Sequence, residues 1–130
     1  MAQNQKKTPE VDKELTYIQG VAKNLIDRLY GPAGFPWGTQ LTELEDTVAA
    51  VRQALTEAML RHALSRQAAQ EQRPPEYDRC PDCGQPTPTA DPAQPRRLQT
   101  KVGTATWTEP KTRCQKCRRD FFPSESQFGD

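Results

Sequence analysis

The first part of the chain repeats apolar residues every three or four positions, which is the spacing of one face of an α-helix. The first stripe consists of Val11, Leu15, Ile18, Ala22, Leu25 and Leu29. Gly31 and Pro32 follow it and favour a helix end, because proline cannot continue the helical hydrogen-bond pattern. The pattern predicts a first helix over residues 9–30.

A second stripe follows with the same alternation of spacings, and it predicts a longer helix from about Thr39 to about Gln72. Its members are Leu41, Leu44, Val48, Val51, Leu55, Ala58 and His62. Two consecutive stripes of this kind are typical of an antiparallel helical hairpin or a short coiled coil. Two helices bury limited area, so the stripes also point to a homodimer formed through the hairpin. We expect Phe35 and Trp37, in the connector between the helices, to pack back onto them.

The pattern changes to strict alternation in the last third of the chain, where it predicts a β-hairpin. Leu98, Thr100 and Val102 are expected to face one way, and Gly103 marks the turn. On the next strand, threonines at positions 104, 106 and 108 alternate with Ala105 and Trp107.

Composition limits how large a core these elements can share. Only 34% of the 130 residues are hydrophobic, 12 are proline, and mean hydropathy is -0.91. Small parts of such a chain need metal, disulfides or association to fold. The N-terminal segment has no apolar run typical of a signal peptide, and no stretch is long and apolar enough to span a bilayer. We therefore expect a cytoplasmic protein with reduced thiols.

The four cysteines form two CxxC pairs, Cys80/Cys83 and Cys114/Cys117, with 30 residues between the pairs. Thiolates two residues apart converge on one point, so two pairs can supply four sulfurs to one tetrahedral metal ion. A redox CxxC would require a βαβ setting, which the pattern does not provide. Zn²⁺ fits best, and iron in a rubredoxin-like site remains open as the alternative. Four cysteine ligands leave no open coordination position, so the predicted zinc ion, one per chain, is structural.

Basic residues concentrate in and around the predicted hairpin. Residues 96–119 carry eight Lys or Arg and one acidic residue, Glu109, which gives this segment a net charge of +7, whereas the whole chain carries +1. Such a patch favours phosphate contacts or forms a solvated face without a partner. The candidate nucleic-acid contacts are Arg96, Arg97, Lys101, Lys111, Arg113, Lys116, Arg118 and Arg119.

The motifs CPDCG, RRLQTKVGTATWTEPKTRCQKC and RRDFFP together resemble the N-terminal zinc-ribbon region of bacterial insertion-sequence transposases of the IS-Kra type. The resemblance covers roughly residues 40–130 and implies a DNA-recognition or assembly module. Transposases of this type continue into a catalytic domain that uses acidic residues and Mg²⁺, and this sequence contains no counterpart of that domain.

The sequence thus predicts a small α+β protein with an antiparallel helical hairpin followed by a four-cysteine zinc ribbon, a β-hairpin with two CxxC knuckles. The predicted organisation is a disordered N-terminus over 1–8, the helical hairpin over 9–73, the zinc ribbon over 77–123 and a disordered tail over 124–130. The function that we expect is a non-enzymatic, DNA-binding zinc module with no membrane or small-molecule partner. The alternative is a zinc-stabilised module for protein interaction or dimerisation, without a nucleic-acid role.

Overall fold

The computed structural model of the chain describes residues 9–70, 73–87 and 93–128. Two long helices come first, two antiparallel β-hairpins follow and a short helix comes last among the described residues, so the protein is a small α+β fold. The helices are α1 (Leu15–Tyr30), α2 (Leu41–Ala68) and α3 (Glu125–Phe128), with short 3-10 helices at Val11–Glu14 and Pro75–Asp78. The strands are β1 (Ala93–Thr100), β2 (Gly103–Pro110), β3 (Thr112–Cys114) and β4 (Arg119–Phe121).

The chain divides into two compact units, residues 1–48 and 49–130, with the division inside α2. In the first unit, α1 ends where Gly31 adopts a φ of 87° and donates its N–H to the Asp27 carbonyl at 2.8 Å. A positive φ is costly for residues with a Cβ, so glycine fits this position. The predicted end of the first helix is therefore confirmed.

The apolar stripes of the helices lie largely in solvent. None of the residues in α1 or α2 is buried, and Val11, Leu15, Ile18 and Leu29 remain between 43% and 61% exposed. The antiparallel packing of the two helices therefore stays a prediction. The expectation for the connector is half right, because the Phe35 ring lies 5.9 Å from the Tyr30 ring but Trp37 is fully exposed.

In the second unit, β1 and β2 pair along their whole length, from Ala93 opposite Pro110 to Thr100 opposite Gly103. Side chains alternate between two faces, as the pleat requires. The inner face includes the buried Ala105, Trp107 and Glu109, and the outer face includes the exposed Thr106 and Thr108. The hairpin predicted from the alternation is present, and its turn is closed by Gly103 with a φ of 128°.

The C-terminal segment corrects the expectation of a disordered tail over residues 124–130. Ser124 is buried, α3 follows it, and the Phe128 ring meets the Trp107 ring edge-on at 6.2 Å. The segment covers part of the inner face of the β1–β2 hairpin, with the Phe128 ring against Trp107 and Ser124 against Glu109. Residues 129–130, like the N-terminal segment 1–8, lie outside the described residues.

Candidate metal centre

The first CxxC pair sits in a tight turn closed by backbone hydrogen bonds. Cys80 donates its N–H to the Gln85 carbonyl and accepts at its own carbonyl from the Gly84 N–H, both at 2.9 Å. Gly84 has a φ of 77°, which lets the chain reverse directly below the sulfurs. An isolated bridge between Arg79 and Pro86 joins the two ends of this turn. The sulfurs of Cys80 and Cys83 therefore project from one side of a closed loop.

The second pair sits at the tip of the β3–β4 hairpin. Cys114 ends β3, the turn covers residues 115–118, and Arg119 begins β4 opposite Cys114. Arg118 has a φ of 54°, the left-handed conformation that such turns need. The Cys117 N–H lies 3.4 Å from the Cys114 sulfur and donates to it. This is the N–H···S contact expected when two cysteines share one tight turn.

The two turns bring all four sulfurs to within 4.8 Å of one another. Cys80 Sγ and Cys117 Sγ are 3.9 Å apart, and Cys83 Sγ and Cys114 Sγ are 3.5 Å apart. Four sulfurs at about 2.3 Å from one Zn²⁺ would lie about 3.8 Å apart along each tetrahedral edge. The residues therefore fit one tetrahedral metal ion with only small adjustments. None of the four cysteines forms a disulfide.

Burial around the sulfurs matches a structural site. Cys80 and Cys114 are 2% and 1% exposed, and they form the small core of the unit with the buried ring of Phe121. Cys83 packs against this core and Cys117 is exposed. A metal ion at this point would connect the two turns directly, and its binding free energy would contribute to their folding.

Without metal, the four thiols are not equivalent. The N–H of Cys117 that points at Cys114 lowers the pKa of that thiol to about 7, against the opposing effect of burial. Hydrogen bonding with Cys83, together with burial, raises the pKa of Cys117 to about 12. Of these two thiols, Cys114 is the better prepared to be a thiolate at neutral pH, and Cys117 must lose its proton to bind metal.

One arginine ties the metal centre to the C-terminal segment. The Arg119 guanidinium lies 3.4 Å from the Asp82 carboxylate in the first turn and 2.7 Å from the Glu125 carboxylate in α3. Glu125 also accepts the Phe122 N–H at 2.8 Å. Arg119 therefore connects both cysteine turns with α3, and its charge is neutralised within the protein.

The remaining predicted nucleic-acid contacts fall into two groups. Three of them have partners inside the protein: Arg96 pairs with Glu109, Arg113 pairs with Asp120 at 3.1 Å, and the Lys111 ammonium lies 5.6 Å from the Phe122 ring. The other four have no ion-pair or hydrogen-bond partner for their charged groups within residues 9–70, 73–87 and 93–128. They are Arg97, Lys101, Lys116 and Arg118, and all four are exposed.

Arg96 occupies a position that the charge pattern of the basic segment does not predict. Its side chain is 3% exposed and donates to Glu109 Oε1 at 2.9 Å and to the hydroxyl of Ser124. Its guanidinium lies 5.0 Å from the Trp107 ring, 5.1 Å from the Phe122 ring and 5.8 Å from the Phe128 ring. This burial corrects the expectation that Arg96 contacts phosphate. The hairpin register could have indicated that Arg96 is on the inner face. A turn between Thr100 and Gly103 places Arg96 opposite Trp107, and residues directly opposite each other share a face of the sheet.

None of the helices in the described part of the chain is both long and apolar enough to cross a membrane. A scan against protein-family models found no match, and searches of the curated proteins and of the solved structures likewise returned none.

Proposed function

We propose that the four cysteines hold one structural Zn²⁺ and that the second unit is a non-enzymatic zinc module. The observation that supports this most directly is the convergence of four sulfurs from two turns within 4.8 Å. The bound ion would be fully coordinated by protein, so its contribution is to the folding of the turns. Cys80, Cys83, Cys114 and Cys117 would hold it. Arg119 would keep the two cysteine turns together through its ion pairs with Asp82 and Glu125.

Elemental analysis of protein purified with both zinc and iron available tests this assignment. We expect one zinc per chain, and we expect Cys114→Ser to lose it because three ligands bind far more weakly than four. Ser126→Ala is the matched control, since Ser126 is exposed on α3 and belongs to no ligand set. Iron at one per chain would assign a rubredoxin-like site instead, and the absence of both metals would refute the proposal.

We propose further that this module binds DNA through its unpaired cations. Arg97 and Lys101 lie on or beside the β1–β2 hairpin, and Lys116 and Arg118 lie on the second cysteine turn. The support is that these four side chains are exposed and lack internal partners in the described residues, whereas Arg96, Arg113 and Arg119 are already paired. Contacts of this kind recognise phosphate and carry no sequence preference by themselves.

Fluorescence anisotropy with a labelled duplex at several salt concentrations tests DNA binding. Replacing Lys116 and Arg118 with Gln should weaken binding to any duplex and reduce the salt slope by about 0.9 for each phosphate that the protein no longer neutralises. The control is Arg66→Gln, which removes one positive charge from α2, as each of the two single variants Lys116→Gln and Arg118→Gln does from the cysteine turn. Zinc content is measured on the same variants. If the double variant loses zinc but keeps the salt slope, its two cations stabilise the metal centre and do not contact DNA.

The alternative function, a module for protein interaction or dimerisation, has its own structural support. Leu15, Ile18 and Leu29 of α1 and the Trp37 ring are exposed, and a set of exposed apolar side chains can form a surface that a partner covers. Analytical ultracentrifugation over a range of protein concentrations tests a homodimer. We expect Leu15→Glu with Ile18→Glu to shift a dimer to monomer, and a monomer at every concentration would refute self-association.

The relationship to the N-terminal region of IS-Kra-type transposases also stays a proposal, supported by the motifs of the second unit. It predicts that related genes carry, after this region, a reading frame with the acidic residues of a Mg²⁺-dependent nuclease. Homologous genes without such a frame would favour an independent zinc module.

A further inference from the structure

A groove runs beside the outer face of the β1–β2 hairpin, within the unit formed by residues 49–130. It has a volume of about 470 Å³, which lies in the range of ordinary ligand sites. Arg61 of α2 contributes one part of its lining, and Arg97, Thr106 and Thr108 of the hairpin contribute another. Pro95, Arg96 and Trp107 complete the lining.

The side chains at this groove are suited to an anion. Arg97 lies directly opposite Thr106 in the hairpin register, so an arginine and a threonine side chain leave the sheet side by side on the outer face. Thr108 is the next residue along that face, opposite Pro95. Arginine presents paired N–H donors that match two phosphate oxygens, and threonine hydroxyls can donate to a third. The described lining contains no carboxylate that would repel an anion.

Two of the three arginines that line the groove, Arg61 and Arg97, differ from most arginines near the metal centre. Arg113 pairs with Asp120 and Arg119 pairs with Glu125, but in the described chain neither Arg61 nor Arg97 has an ion-pair or hydrogen-bond partner. The acidic residue one turn before Arg61 on α2 is Glu57, and its Oε2 accepts a hydrogen bond from Gln53 at 3.0 Å. Both arginine side chains are exposed and therefore available to a ligand.

We propose that this groove binds the phosphodiester backbone of one nucleic-acid strand, with Arg61 and Arg97 on successive phosphates and Thr106 and Thr108 as hydroxyl donors. This inference rests on the proposed DNA-binding function and adds a surface to it, because Arg61 lies on α2, outside the zinc module's basic segment. The two guanidiniums in the lining that are unpaired within the described residues match two phosphates of one strand. Each arginine–phosphate contact on a single strand should contribute about 0.7 to the salt slope. A contact whose contribution vanishes at about 1 M salt is therefore worth about fivefold in affinity at about 0.1 M salt.

The test measures the anisotropy of a labelled single strand, and of a duplex of the same sequence, with Arg61→Gln, Arg97→Gln and the double variant. For the single strand we expect about fivefold weaker binding for each substitution and about 25-fold for both, with the salt slope reduced by about 0.7 and about 1.4. Arg66→Gln is the matched control on α2, and it should bind as the unmodified protein does. Zinc content and circular dichroism verify that every variant is folded.

The outcomes separate this inference from the proposed function. If Lys116→Gln with Arg118→Gln weakens DNA binding while Arg61→Gln changes neither affinity nor salt slope, the groove proposal is overturned and the zinc module remains a DNA-binding module. If neither strand nor duplex binds the unmodified protein, both proposals are overturned.

A second experiment asks whether the groove binds a free anion instead of a nucleic-acid strand. Inorganic tripolyphosphate is titrated into the protein, and the side-chain N–H signals of Arg61 and Arg97 are followed by NMR. Shifts at Arg61 and Arg97 that appear with tripolyphosphate, in a protein that binds neither strand nor duplex, would assign the groove to free polyphosphate and overturn the nucleic-acid assignment. Competition between tripolyphosphate and the labelled strand at the same arginines would support the nucleic-acid assignment.

Discussion

Replacing Arg96 with Met should unfold or strongly destabilise the second unit, although residue 96 lies outside the metal centre. The Arg96 and Glu109 side chains are 3% and 5% exposed, and each is the other's charged partner. Removing one member of a buried pair leaves the other as an uncompensated charge, which costs about 3–5 kcal/mol. The change also removes the cation from between the rings of Trp107, Phe122 and Phe128.

Urea unfolding followed by Trp107 fluorescence measures this cost, with metal in constant excess. Trp37→Phe serves as the background, because the exposed Trp37 would add signal that does not report on the second unit. For a unit of this size the free energy of unfolding falls by about 1 kcal/mol per molar urea, so the expected loss moves the midpoint by about 3–5 M or abolishes folding in water. Arg97→Met is the matched control one position along β1, and it should change stability by less than about 0.5 kcal/mol.

A milder variant keeps the test informative where Arg96→Met does not fold. The Ser124 hydroxyl donates to Glu109 and accepts from Arg96, so Ser124→Ala should lower the free energy of unfolding by about 1–2 kcal/mol. Arg96→Met combined with Glu109→Leu should recover most of the stability, because an apolar pair no longer buries an unpaired charge. A cost below about 1 kcal/mol for Arg96→Met, or a double variant as unstable as the sum of the single ones, would refute the reasoning.

Three further predictions concern the metal centre and the helices. The logarithm of zinc affinity should rise with pH, and its slope against pH should be about one unit steeper below pH 7 than above it. The reason is that Cys114 has a pKa of about 7, so below that pH this thiol must also release a proton when zinc binds. Chelator competition at several pH values measures the slope, and a slope unchanged across pH 7 would contradict the pKa. Arg119→Met should speed zinc release to a chelator several-fold relative to Arg118→Met, because Arg119 alone of the two connects Asp82 and Glu125; equal rates would remove its bridging role. Metal removal should leave most of the helical circular dichroism signal intact, since α1 and α2 contain none of the ligands. Loss of the helical signal when the metal is removed would show that the helices depend on the metal site.

Local patterns in the sequence predicted the helices, the β1–β2 hairpin and the clustering of the cysteines. Each depends on short-range chemistry: three-four spacing, strict alternation around Gly103, and two CxxC turns. The basic segment was harder to interpret, because charge alone does not indicate which side of a strand a residue occupies. Arg96 and Arg97 are adjacent in sequence, yet Arg96 is buried against Trp107 and Arg97 is exposed.

The order of the C-terminal segment could not be derived from sequence pattern either. Residues 124–128 have no periodicity to indicate structure, and their position depends on contacts with distant residues. Ser124 meets Glu109, and Phe128 meets Trp107, across separations that no local rule covers. A paired acid and base on the inner face of a predicted hairpin, Arg96 and Glu109, is the sequence feature that would have indicated a covering segment.

The separation of the two faces of the β1–β2 hairpin has a consequence for how this protein can evolve. Inner positions such as Arg96, Trp107 and Glu109 are constrained by one another, so a change at one requires a change at its partners. Outer positions such as Arg97 and Thr106 are exposed, and we expect substitutions there to leave the fold intact. The two sets alternate along the same strands. A single substitution at an outer position can therefore change what the outer face binds, while the inner residues on either side of it in sequence stay the same. The same property makes the outer face a suitable place for randomised positions in a binding library.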